Sequence, residues 1–150
     1  MKFVNLFISP SGRINRAKFW IAILVFTVLN VLSTGMVLAS GSNTLIILNG
    51  IISLLVAASG ILVGIKRLHD RNKSGWWVLL YWLAPFVMLS VGFAGGLPEI
   101  MVNIVGFLAL AIGLWSLIEL GGLRGTIGQN KYGPDPLAPD ILTPPVRTHA

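Results

Sequence analysis

Four apolar runs, each about twenty residues long, set the limits on what this chain can fold into. They cover roughly Phe19–Ala39, Thr44–Ile65, Trp76–Gly95 and Ile100–Leu120, and the only charged side chain within them is Glu119, at the end of the last. An α-helix of about twenty residues crosses about 30 Å of hydrocarbon. In lipid every backbone N–H and C=O must be bonded within its own segment, so runs of this kind become helices. Barrel strands would alternate polar and apolar residues over about ten positions, and these runs do not. Composition agrees: 55% of residues are hydrophobic, 11% are charged and the mean hydropathy is +0.83, against about 25% charged in a soluble domain. The sequence predicts an all-α integral membrane protein with four transmembrane helices.

The positions of the cations orient those helices. Lys2, Arg13, Arg16 and Lys18 precede the first run; Lys66, Arg67, Arg71 and Lys73 lie between the second and third; Arg124, Lys131 and Arg147 follow the fourth. The other two links, Ser40–Asn43 and Gly96–Glu99, carry neither Lys nor Arg, and Pro98 is placed to start the fourth helix. All eleven cations fall on one side, so the positive-inside rule puts both termini and the central link in the cytoplasm. The net charge of +6 then points to anionic lipid headgroups rather than nucleic acid, because no basic face extends beyond the membrane edge.

Residues 1–136 read as one membrane domain and 137–150 as a disordered, Pro-rich mobile tail, since five of the eight prolines follow residue 133. The segment "FVNLFI" is too short to span and reads as interfacial. It does not read as a signal peptide: Asn5 and Pro10 break the run, and no small-residue cleavage site follows. Ser11 is the expected N-cap of the first helix. The absence of cysteine removes disulfides and thiolate metal sites.

On the second run Gly50, Ser53, Ala57, Gly60 and Gly64 follow a three–four spacing and share one face, so they predict close packing on another helix of the same chain. Asn30, Asn49 and Asn103 predict hydrogen bonds between helices.

The densest chemistry is "KRLHDRNKSGWW", Lys66 to Trp77. Lys66 and Arg67 are expected to snorkel to headgroup phosphates. Asn72–Gly75 form a turn, and Trp76 and Trp77, with Trp20, anchor their helices at the interface. Asp70 needs a cationic partner near lipid, with Arg13, Arg16, Arg67 and Arg71 available. The expectation is an Arg–Asp clamp tying the N-terminal helix to the central link. No catalytic residues, cofactor or metal site are expected: a His-Asp metal centre needs further ligands, and the only other histidine is His149.

Three stretches in this order, "SGRINRAKFW", "KRLHDRNKSGWW" and "RGTIGQNKYGPDP", resemble a bacterial inner-membrane family of the YhaH/YhaI type, domain of unknown function 805. The resemblance runs from about Phe3 to Pro136. Lys66 stands where the family often has Arg, and Ala17-Lys18 replace a more charged pair. The resemblance implies a four-helix inner-membrane protein and brings no established activity. Its motif residues here are Gly12, Arg13, Arg16, Phe19, Trp20, Arg67, Leu68, His69, Asp70, Ser74, Gly75, Trp76 and Trp77, then Gly128, Asn130, Tyr132, Gly133, Pro134, Asp135 and Pro136. All fall on the expected cytosolic face and imply one composite cluster of Arg13, Arg16, Arg67, His69, Asp70, Tyr132 and Asp135, with "YGPDP" folded back over it.

The leading functional expectation is a non-enzymatic protein whose cluster binds an anionic headgroup or a protein partner, with Arg13 and Arg16 on phosphate and Asp70 and Asp135 orienting them. The alternative is an oligomeric transporter or channel with Thr27, Asn30 and Thr34 along the path. A third reading is a lipid-modifying enzyme with His69 as acid–base and Asp70 as its orienter.

Overall fold

The computed structural model describes residues 7–138, so the expectations placed on Lys2, Arg147, His149 and most of the C-terminal tail lie outside the described residues. Among the described residues the chain is helical, without strands. Helix α1 is Arg16–Ser40, α2 is Asn43–Asp70, α3 is Leu79–Phe93 and α4 is Glu99–Gly122. Three of them, α1, α2 and α4, are long and apolar enough to cross a membrane; α3 is the shorter fourth. The helices pack as two hairpins, α1 on α2 and α3 on α4.

Local chemistry sets the ends. The N-cap of α1 is Asn15, not Ser11: its Oδ1 accepts from Lys18 N–H at 2.9 Å. The start moves inward because Gly12, at φ +89°, turns the chain so that Arg13 and Ile14 go into the interior rather than into a helical turn. At the other end Gly41, at φ +61°, closes α1 with its N–H on Val37 C=O.

The third span, which is shorter than its apolar run, is irregular at Pro85. Proline has no N–H and its ring crowds the carbonyl four residues back, so the preceding turn, Leu79–Leu83, widens to a π-helix and Ala84 N–H bonds Leu79 C=O. The widened turn carries Trp82 onto α2. A Cβ at Gly60 would stand 2.8 Å from Trp82 Cη2, and one at Gly64 would stand 3.1 Å from Val78 Cγ2. Gly60 and Gly64 therefore admit α3, while Ser53 faces α1. The small-residue face is not one interface, however: Ala57 is exposed and Gly50 has nothing near it.

Inside the first hairpin Ser53 Oγ donates to Asn30 Oδ1 at 3.1 Å and Ser33 Oγ donates to Asn49 Oδ1 at 2.7 Å. Asn103 makes no side-chain hydrogen bond to another described residue. The buried apolar core (Ile14, Phe19, Ala22, Phe26, Val63, Leu68, Val78, Tyr81 and Leu120) lies wholly toward the end that carries the cations. No residue of 27–59 or 82–108 is buried, so the opposite halves of the helices present their apolar side chains outward. The protein is packed at one end and lipid-facing at the other.

Gly60→Leu drives a side chain into Trp82 and is expected to cost about 1–3 kcal/mol of stability. Gly50→Leu, in open space, is expected to cost little. Thermal melting of both in detergent checks the pair, and equal melting temperatures would refute the contact.

Candidate functional site

The last turn of α2 holds the charged core. Lys66, Arg67 and Leu68 are fully buried and Asp70 is 3% exposed. The expected snorkelling of Lys66 and Arg67 to headgroups does not occur, because α2 reaches the packed end before its last turn and meets the N-terminal segment and the end of α4 there.

Asp70 is shared by two guanidiniums. Arg13 Nε donates to Oδ1 at 3.2 Å, with Nη2 at 3.1 Å from the same oxygen, and Arg67 Nη1 donates to Oδ2. Of the expected partners, Arg13 and Arg67 hold the carboxylate; Arg16 and Arg71 turn elsewhere. The remaining donors of both arginines go to backbone carbonyls. Arg13 Nη1 donates to Gly128 C=O at 2.6 Å and to Gly133 C=O at 3.2 Å, and its Nη2 donates to Thr126 C=O at 2.5 Å. Arg67 Nε donates to Leu120 C=O at 2.6 Å, Nη2 to Leu123 C=O and Nη1 to Ile14 C=O at 3.4 Å. A planar fork of five donors suits this work, which a lysine could not do.

The end of α4 explains why those carbonyls are free. Its last turn, Ile118–Gly122, is a π-helix, and the chain leaves it extended at Leu123. The terminal carbonyls lack partners within the helix. Side chains supply them: Arg67 at Leu120 and Leu123, Trp20 Nε1 at Gly121 at 3.2 Å, and Arg16 Nη1 at Gly122 at 3.0 Å. Trp20, expected as an interfacial anchor, is thus half on protein. A Cβ at Gly121 would lie 2.5 Å from Trp20 Cζ2, so only glycine lets the indole approach. Trp76, 78% exposed, and Trp77, 46% exposed, face outward.

The closing segment caps α2 in turn. Thr126 N–H and Oγ1–H both donate to Asp70 C=O, at 2.8 and 2.9 Å, and Asn130 Nδ2 donates to His69 C=O at 2.9 Å. Tyr132 stacks on His69 at a centroid distance of 3.7 Å and an angle of 7°. Asp135 faces its own loop, accepting from Gly128 N–H and Leu137 N–H at 2.9 Å each. Those two amides hold its carboxyl below the ordinary 3.8. Arg13, Arg67, His69, Asp70 and Tyr132 come together as one interior unit, with Arg16 and Asp135 at its edge. Asp70 faces its arginines rather than the His69 imidazole.

A second carboxylate belongs here that the motifs did not single out. Glu119, 1% exposed, has Oε1 2.8 Å from Arg71 Nε and 2.7 Å from Lys73 Nζ. The signal was available: it is the sole charge in four apolar runs and needs a partner. Asp70 and Glu119 each meet two cations, so both centres keep a positive excess. Beside them lies a cleft of about 180 Å³ between the start of α1 and the segment after α4, lined by Arg16, Arg124, Thr126 and Asp135 with Arg67 and Asp70 below. Arg16 and Arg124 are exposed, and the Arg124 side chain makes no hydrogen bond to another described residue.

Asp70→Asn leaves two buried guanidiniums without their charge partner, and a loss of about 3–5 kcal/mol is expected in chemical or thermal unfolding. Gly125→Ala should destabilise as well, because its Cβ would overlap the Asp70 carboxylate. The loop held by Asp135 has a pH signature. Its folded-state pKa is depressed, so its contribution is present above the ordinary carboxylate range and is lost as pH falls through the lowered value. The Gly128 amide resonance should titrate with a midpoint below 3.8, and Asp135→Asn should abolish the titration.

The sequence profile of the family described as "Protein of unknown function (DUF805)" matches residues 7–134. The chain is 40% identical over 132 residues to the Escherichia coli K12 protein called "Uncharacterized protein YiiR", covering 85% of each. It is 32% identical over 142 residues to the "Inner membrane protein YhaH" of the same strain, covering 91% of this chain and 93% of that one. No solved structure matches it. The residues that build the Asp70 centre, from Arg13 to Gly133, fall within the matched segment, and the chain belongs to the DUF805 family.

Proposed function

We propose that this is a non-enzymatic protein of the bacterial inner membrane that holds a phosphate-bearing anionic headgroup in the cleft between Arg16 and Arg124. The inner-membrane placement rests on the apolar helices and on the name of the YhaH relative. The packed, cationic end faces the cytoplasm, with both termini and the central link on that side.

The observation that carries the reading is a difference among the arginines. Arg13 and Arg67 have their donors committed to Asp70 and backbone carbonyls. They form the floor, which shifts the phosphate-binding role expected of Arg13 to others. Arg16 gives one bond to Gly122, and Arg124 gives none within the described residues. Both stand exposed over a net-positive floor at headgroup depth, where bidentate guanidinium–phosphate bonds are strong. The transport reading has less support: Asn30 donates to Phe26 C=O and accepts from Ser53, so its amide is engaged between helices.

Native mass spectrometry from mild detergent tests the reading. The wild type is expected to retain an anionic phospholipid, and Arg16→Gln/Arg124→Gln is expected to lose it while insertion survives and stability falls by no more than about 1 kcal/mol, the contribution of the single Arg16–Gly122 bond. Equal retention by both proteins would reject it.

A further inference from the structure

The cleft over the Asp70 centre carries more than its two exposed arginines. Arg16, at the start of α1, and Arg124, after α4, stand on it, and Asp135 lines it as well. A site built for a bare phosphate would have no use for that carboxylate, which repels the anion the arginines attract.

Asp135 is held in place without being used up. Its Oδ2 accepts from Gly128 N–H and its Oδ1 from Leu137 N–H, each at 2.9 Å. An ionised carboxylate offers about four acceptor positions, so about two remain. The Leu137 and Gly128 amides, and after them Arg13 and Arg124, hold the carboxyl below the ordinary 3.8, so it is charged at neutral pH. Arg124 is near enough to act on it, yet no ion pair joins the two. Asn15, also on the lining, spends its Oδ1 on Lys18 N–H, and its Nδ2 donates to no other described residue. The lining thus offers guanidinium and amide donors together with one charged acceptor.

Charge and size narrow what fits. Arg16 and Arg124 outnumber Asp135, and the floor of Arg13, Arg67 and Asp70 keeps its own positive excess. A ligand of net negative charge is therefore favoured over a zwitterion, and the group facing Asp135 is a hydroxyl rather than an ammonium. The same carboxylate disfavours a second negative charge on the phosphate, which selects a diester over a monoester. The volume, about 180 Å³, matches roughly six waters at about 30 Å³ each, room for one phosphate with a short hydroxylated arm.

We propose that this cleft selects a glyceryl phosphodiester, as in the headgroup of phosphatidylglycerol, with the phosphate between Arg16 and Arg124 and a glycerol hydroxyl donating to Asp135. The inference rests on the anionic-headgroup reading above and names the ligand class that the site takes.

The test presents the full chain in mild detergent with equal amounts of phosphatidylglycerol and phosphatidylethanol, a phosphodiester of the same charge without hydroxyls, and reads both adducts by native mass spectrometry. The wild type is expected to retain phosphatidylglycerol about tenfold over phosphatidylethanol, the worth of one hydrogen bond to a charged acceptor. Asp135→Asn, whose neutral acceptor makes a bond roughly half as strong, should cut that ratio to about threefold, and Asp135→Ala should bring it to about one. Continued retention of phosphatidylethanol by both variants shows that the arginines remain in place. The wild-type ratio decides even where the Asp135 loop fails to fold. Equal retention of the two lipids by the wild type, a ratio unchanged in both Asp135 variants, or preference for phosphatidylethanolamine over phosphatidylglycerol overturns the proposal. Retention of neither lipid, or undiminished retention by Arg16→Gln/Arg124→Gln, rejects the anionic-headgroup reading and the proposal with it, so the two failures are distinct. Excess soluble glycerophosphoglycerol separates the sources: displacement of the lipid assigns the free ester, and no displacement assigns the membrane lipid, with the same chemistry at Asp135 in either case.

Discussion

One carboxylate, Asp70, organises the packed end of this protein. It sits at the last residue of α2 between Arg13 and Arg67, which come from different parts of the chain. A buried ion pair is a weak source of net stability, because desolvation offsets much of the attraction. Its effect is to fix geometry. With Asp70 in place both guanidiniums are pinned, and their other donors are aimed at five backbone carbonyls between Leu120 and Gly133 together with Ile14. The N-terminal segment, α2 and everything after α4 are thereby joined in one hydrogen-bonded unit.

That unit exists because α4 ends badly by helical standards. A π-turn followed by extended chain leaves carbonyls that need donors, and lipid cannot supply them. Arg67, Trp20 and Arg16 supply them instead. The glycines on this segment serve contact: Gly121 lets Trp20 close in, and Gly125 leaves room for the Asp70 carboxylate. The other π-turn, before Pro85, sets Trp82 over Gly60. The helical irregularities are therefore where the two hairpins meet.

The division of the helices follows from solvent. Toward the charged end, water and headgroups make apolar side chains seek one another and ionic groups seek partners, and the core forms there. Toward the opposite end lipid solvates apolar side chains as well as protein would, so little drives burial and little is buried. Chemistry accordingly gathers at one face, where the Arg16–Arg124 cleft lies directly over Asp70.

The helical class, the apolar runs and the confinement of the cations to three segments were determined by the sequence, because length and hydropathy alone decide what lipid admits. That Asp70 requires an arginine was also legible, since an unpaired carboxylate is costly there. Which arginines answer was not: four stood on the same face, and only the packing of α2 against the end of α4 selects Arg13 and Arg67 and sends Arg71 to Glu119. The same packing buries Lys66 and Arg67, which as a bare sequence read as headgroup-facing. The small-residue face divided for a similar reason. Its spacing is helical along the whole of α2, but a neighbour reaches it only where Pro85 widens α3 and brings Trp82 across, so Gly60 and Gly64 are covered and Gly50 is not. Sequence determined which groups could not be left alone; tertiary structure decided most of their partners, because apart from Arg67, one helical turn from Asp70, those partners lie on distant segments such as Arg13 and the carbonyl of Leu120.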